Sequence, residues 1–227
     1  MVLPPDLYAR RLANKENIKH WLHQERAERA VKALKKNGFD AKYMENKEQA
    51  KEEILRLIPQ GARVGVGGSI TIREIGVLEE LSKRGHTIYD HWKSGLSQEE
   101  ILNIRRAHLT CDVFLTSANA LSLEGELVSK EGIGNRVCAM TFGPKKVIIA
   151  VGVNKIVKDL EADLHRIKEV AAPQALKDTG LAVPCVETGI CTDCDSPMRG
   201  CRITLILERK PLLTDITVLV IGESLGF

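Results

Sequence analysis

Aromatic side chains are scarce in this sequence, 4% of 227 residues, so it holds few platforms for stacking the bases of a single-stranded nucleic acid. A basic block is missing too. Lys and Arg total 33 against 30 Asp and Glu, and the formal charge of +3 is spread over residues of both signs instead of forming a cationic stripe for a phosphate backbone. No nucleic-acid partner is expected. No apolar run approaches the ~18 residues of a membrane span, and the opening Met1-Val2-Leu3-Pro4-Pro5-Asp6 lacks the apolar core of a secretory signal. The expectation is a cytoplasmic protein without membrane contact. In that reducing compartment the six cysteines read as thiols or metal ligands, not as a disulfide framework.

Several catalytic signatures are also missing. No Gly-Lys-Ser or Gly-Lys-Thr tripeptide occurs anywhere, which excludes a P-loop. Among the six histidines no Ser-His-acid spacing stands out, so no nucleophilic triad can be assembled. The dinucleotide fingerprint requires a third glycine where this chain has Ile70, although Asp90 sits roughly where a ribose-binding acid would. No NAD is expected.

What is present is enough apolar material, 44%, for one sizeable α/β core. From Asp6 to about Asn37, Trp21, Leu22, Ala27, Ala30, Val31 and Leu34 recur at helical spacing. The reading is an N-terminal helical extension over 1–45 followed by one α/β domain over 46–227. Asn46 is placed to cap a helix over Lys47 to Leu57, and Ser97 one that runs to His108. Strands are expected at Phe39–Met44, Ala62–Val66, His86–Tyr89, Asp112–Thr116, Val137–Thr141, Lys146–Val151, Ile203–Glu208 and Ile216–Ile221. A hairpin is expected around Gly125, one helix over Thr71–Arg84, and another over Asp159–Ala171 stopped by Pro173. Strand and helix alternate, the pattern of a mainly parallel sheet flanked by helices.

The first candidate site is Gly65-Val66-Gly67-Gly68-Ser69-Ile70-Thr71, between a strand and a helix. There Gly67 and Gly68 allow close approach to the backbone, and Ser69 and Thr71 add hydroxyls for a phosphate or carboxylate. Glu74, one turn on, is the acid/base candidate if chemistry occurs. The alternative is a tight structural turn. Asn119, in Ser117-Ala118-Asn119-Ala120, follows a buried strand, where open α/β sheets place ligands. Gly134, Asn135 and Arg136 offer a turn, an amide and a guanidinium able to grip an anion bidentately, and Asn154 and Lys155 close a further strand. Each also has an ordinary reading, with Asn and Gly in turns, Arg136 paired with Glu131, and Lys155 solvated.

Cys185, Cys191, Cys194 and Cys201 form C-x5-C-x2-C-x6-C within segment 185–201. Four thiolates at such spacing suit a [4Fe–4S] cluster or a structural zinc, and reduced structural cysteines or a redox disulfide are the alternatives. Cys111 and Cys138 read as small core residues.

Taken together, Gly67-Gly68-Ser69-Ile70-Thr71-Ile72-Arg73-Glu74-Ile75-Gly76, Thr116-Ser117-Ala118-Asn119-Ala120, Gly132-Ile133-Gly134-Asn135-Arg136-Val137, Phe142-Gly143-Pro144-Lys145-Lys146-Val147 and Gly152-Val153-Asn154-Lys155-Ile156-Val157 resemble the LUD domain family of lactate-utilization proteins, in its small stand-alone branch. The resemblance runs from about residue 5 to residue 209 and includes the cysteine segment; Ser129 and Glu131 depart from the Asn and Asp common in that branch. It implies a fold like the NagB/RpiA/CoA-transferase group, whose ligands are sugar phosphates, CoA esters or small acids. It also implies a role in lactate or hydroxy-acid utilization beside iron–sulfur oxidoreductase subunits, with no catalytic residue assigned. A sugar-phosphate isomerase or CoA transferase is the third reading. Whether the chain is an enzyme, and whether it forms a homo-oligomer, stay open at this level.

Overall fold

The computed structural model describes residues 14–227. Six strands form one parallel sheet in the order β1-β10-β7-β4-β2-β3: Asp40–Met44 (β1), Arg63–Val66 (β2), Thr87–Asp90 (β3), Val113–Thr116 (β4), Lys146–Gly152 (β7) and Asp215–Ile221 (β10). A second sheet, in the order β8-β5-β6-β9, holds Ala120–Ser122 (β5), Leu127–Glu131 (β6), Ile156–Val157 (β8) and Ile203–Leu207 (β9). The expected hairpin is its β5–β6 pair, which is antiparallel with Gly125 in the turn.

The strands of the main sheet are continuous apolar runs because both faces are covered. On one face Val147, Ile149, Val151, Val218 and Val220 pack with Ala27, Ala30, Val31 and Leu34 of helix α1 (Lys15–Lys36) and with the second sheet. On the other, Ile148, Ala150, Leu219 and Ile221 meet α2 (Lys47–Leu57), α3 (Ile70–Ile75) and α4 (Val77–Lys83). Burying each such aliphatic side chain contributes on the order of 1.5–3 kcal/mol. The segment set apart as 1–45 therefore supplies, within its described residues, an edge strand and a helix to the same core; the part ahead of residue 14 lies outside the described residues.

Local signals behave as their chemistry requires. Asn46 accepts from Gln49 N–H at the start of α2, and Ser97 and Glu100 form a capping box on α5 (Gln98–Ala107).

Five expectations change. The helix over Thr71–Arg84 is two helices, broken where Gly76 takes φ 71°. Val137–Thr141 is not a strand but part of helix α6 (Asn135–Thr141): Gly134 turns at φ 107°, and the Glu131 carboxylate accepts from the N–H groups of Arg136 and Val137. Cys138 is consequently exposed, whereas Cys111 is buried as expected. Pro173 does not stop its helix. After α7 (Leu160–Arg166) the chain widens into a π-type turn over Ile167–Ala171 and continues as α8 (Ala172–Asp178), with Pro173 directly after the widened turn. Finally, Trp21 and Leu22 lie on the exposed half of α1, not in the core. Helix α9 (Pro184–Thr188) and the full second sheet had no clear signal.

Candidate functional site

In sequence β2 leads to β3 on one side, and β4 leads to β7 on the other, so the loops after β2 and β4 diverge. Such a switch point opens a crevice at the carboxyl ends of the strands. A hollow of about 150 Å³ lies there, bounded by Gly68, Ser69 and Thr71 after β2, by Ser117 and Asn119 after β4, and by Arg136 and Lys155.

Lys155 is the deepest charge. It is 3% exposed, and its Nζ donates to Thr71 Oγ1 at 2.8 Å and Ser117 Oγ at 3.0 Å. Burial first, and then the like charges of Arg166 and Arg136, pull its pKa down to about 7 against the opposing pull of Glu74.

Arg136 is partly buried and reaches across from α6. Its Nη1 donates to Ser117 O at 3.1 Å, and its Nη2 to Lys130 O at 2.8 Å and Asn119 Oδ1 at 3.2 Å. These acceptors are neutral, and burial lowers the guanidinium's pKa. The expected bidentate grip on an anion is therefore corrected: the Nη fork is spent on the protein's own loops, and Arg136 offers the hollow mainly its charge. Nor does it pair with Glu131, whose carboxylate is taken by the α6 backbone.

The other expected residues divide. Ser69, buried, caps α3 by accepting from Ile72 N–H, while Thr71 donates to Leu225 O. Gly67 and Gly68 are there for close packing. A Cβ on Gly67 would meet Thr116 Oγ1 at 3.0 Å and Arg136 Cδ at 3.5 Å, and one on Gly68 would meet the Trp92 ring at 3.1 Å. Asn119 Oδ1 ties Lys130 N–H and Arg136 together. Gly134 and Asn135 start α6 without lining the hollow. Asn154 instead anchors the last residues, donating to Gly226 O and accepting from Leu225 N–H, both at 3.0 Å. Glu74 is exposed and accepts from Gly226 N–H at 2.6 Å; it does not line the hollow.

Sequence reading missed Trp92, Lys130, Arg166, Asp178 and Phe227. Trp92 forms an aromatic wall, with Arg73 4.4 Å over its ring and Asp90 accepting from its backbone N–H at 2.9 Å. Asp90, considered for a ribose, is bidentate to Arg73 instead. Arg166 donates to Asn154 O and Asn119 O behind the site. A cation on a short helix reads as solvated, so spacing gave no cue to it.

The four cysteines come together elsewhere. Cys185, Cys191, Cys194 and Cys201 line one hollow of about 40 Å³ with Lys130, Lys168 and Arg199. Arg199 holds the loop by donating to Cys201 O at 2.8 Å, Cys194 O at 2.7 Å and Asp193 O at 3.2 Å. Burial and the neighbouring thiols push the Cys185 thiol up. The donor types suit a thiophilic metal, but among the described residues no three His, Cys, Asp or Glu side chains are grouped closely enough to hold one. Among the same residues no helix is long and apolar enough to cross a membrane.

A family model described as the LUD domain matches residues 27–221. Among solved structures, a DUF162 family protein from Deinococcus radiodurans is 15% identical over 88% of this chain and 98% of its own, with a TM-score of 0.52. Ribose 5-phosphate isomerase A from Methanocaldococcus jannaschii is 14% identical over 80% and 96% respectively, with a TM-score of 0.40. The fold likeness rests on the first of these. No curated protein matches the chain.

Proposed function

This chain belongs to the LUD domain family, and we propose that it binds a small anionic metabolite of the lactate and hydroxy-acid class in the hollow between the β2 and β4 loops. One observation carries the reading: Lys155 is buried between two neutral hydroxyls beside Arg136, and among the described residues neither side chain has a carboxylate in its hydrogen-bond shell. Buried positive charge is costly unless it is paired. An anionic ligand supplies the missing charge, and the size of the hollow suits a small metabolite.

Calorimetry with L-lactate, pyruvate and inorganic phosphate tests this. At least one should bind. Lys155→Met should weaken it about tenfold or more, since a hydrogen bond to a charged group is worth about 1.5–3 kcal/mol. Arg136→Ala should weaken it in the same direction, with a thermal melt to separate loss of charge from loosening of the loop. Unchanged affinity in both variants would assign the pocket wrongly.

A second reading concerns the cysteine hollow. Lys130, Lys168 and Arg199 would offset the charge of four thiolates, and Arg199 already clamps the loop that carries Cys194 and Cys201. Zinc, or a [4Fe–4S] cluster that couples the chain to iron–sulfur oxidoreductase subunits, would be held by Cys185, Cys191, Cys194 and Cys201 once the thiols draw together. Zinc would supply structural cross-linking, and a cluster one-electron transfer. Anaerobic purification followed by iron, sulfide and zinc analysis decides it, and a metal-free protein contradicts the reading.

A further inference from the structure

We infer that Lys155 is a nucleophilic amine that forms an imine with the carbonyl of a 2-oxo acid seated in this hollow, an inference that rests on the anion-binding reading above. The geometry begins with the two hydroxyls. Thr71 Oγ1 donates its proton to Leu225 O at 3.2 Å, and Ser117 Oγ donates its own to Ala118 O at 3.1 Å. Each hydroxyl therefore turns a lone pair toward Lys155 Nζ and accepts from it. Two N–H directions of the amine are fixed in this way. Among the described residues the third position on the nitrogen has no partner, and Lys155 lines the hollow.

Ser117 also sets the span. Its side chain holds Lys155 at 3.0 Å while its carbonyl holds Arg136 Nη1 at 3.1 Å, so the amine and the guanidinium flank a single residue. A 2-oxo acid carries its carboxylate and its carbonyl on adjacent carbons, so one small molecule presents both groups to the two side chains that Ser117 holds. The carboxylate lies in the field of Arg136, and the carbonyl carbon meets the amine.

The chemistry balances without an oxidant or reductant. The neutral amine adds to the carbonyl carbon, a C–N bond forms, the C–O π pair moves to oxygen, and a proton passes from nitrogen to that oxygen. The C–O bond then breaks as the nitrogen lone pair forms the C=N bond, and the hydroxyl leaves as water with the second proton of the amine, which gives the imine. Because the imine draws electrons from the neighbouring carbon, the reaction class is proton exchange or bond cleavage at that carbon. Nucleophilic attack needs the uncharged amine, and an exposed lysine near 10.4 supplies little of it at neutral pH. Burial, Arg166 and Arg136 favour the neutral form of Lys155 and Glu74 opposes it; Lys130 and Asp178 are the further charged groups that face the same hollow.

Reductive trapping tests the inference on the wild-type protein. The protein is incubated with pyruvate or glyoxylate and cyanoborohydride, then peptide-mapped, with calorimetry of the same acids in parallel. Expected are one adduct concentrated on Lys155, a trapping rate that rises as pH passes through about 7, competition by oxalate, and no adduct at this position in Lys155→Arg. If pyruvate binds in calorimetry but Lys155 stays unmodified, or is modified no faster than surface lysines, the imine is overturned and the anion pocket stands. If the acids neither bind nor add, both fall.

Discussion

Asp163 is the residue whose environment departs furthest from what its type favours. It is fully buried on α7, and among the described residues neither carboxylate oxygen has a hydrogen-bond partner. Burial, then Glu126 and Asp159, raise its pKa from 3.8 to about 8, with Arg166 pulling the other way. Below pH 3.8 the group is protonated in both folded and unfolded chains. Between there and about 8 the folded chain keeps a proton that the unfolded chain has released, so stability falls as pH rises; above about 8 the loss is complete. Asp163→Asn, which keeps the shape and removes the charge, should melt close to wild type near pH 4 and above it at pH 8 and higher. Equal melting temperatures across that range would mean that Asp163 is ionised and satisfied in solution. Lys155 bears on stability with the opposite slope: its lowered pKa lets the unfolded chain hold the extra proton above about 7, so stability rises with pH toward the ordinary lysine range. The sequence marks Lys155 as a strand-end candidate but not its burial, and it gives no sign of Asp163, where an acid in the first turn of a helix looks solvated.

At the scale of elements, helix α8 is the partition between the two hollows. Ala175 and Asp178 face the anion side, Ala172, Pro173 and Leu176 face the cysteines, and Lys130 of β6 lines both. Ala175→Leu should therefore fill the anion hollow and weaken ligand binding by about tenfold or more, as overpacking of a tight site does, while thiol reactivity with a disulfide reagent stays as in wild type. Leu176→Ala should do the reverse, speeding thiol modification with little change in ligand affinity. Equal effects of both variants on both readouts would contradict the partition. Short-range chemistry made much of this level legible: Asn46 and Ser97 cap the helices they were expected to cap, and the strands of the main sheet lie where apolar runs meet turn residues. The failures come from local conformations that hydrophobic periodicity does not register, such as the left-handed Gly76 that splits one helix in two. Glu131 reaches five and six residues ahead to start α6 inside what reads as a strand, and a π-type turn carries the chain past Pro173.

At the scale of the molecule, the candidate site depends on strand order, which no local pattern encodes. Alternating strands and helices imply a parallel sheet, and residues at strand ends imply a ligand, so Ser69, Thr71, Asn119, Arg136 and Lys155 were legible as a group. The sequence could not tell that Asn154 and Glu74 would turn to the last residues of the chain, or that Trp92 and Arg166 would join from the turn after β3 and from α7. Those placements follow from β2 and β4 lying side by side while their loops diverge. The crystal structure of the protein soaked with oxalate is the most direct test of that convergence. Oxalate should sit in the hollow with an oxygen within hydrogen-bond distance of Lys155 Nζ and the rest of the anion on the Arg136 side. An empty hollow in crystals that carry oxalate elsewhere would contradict it.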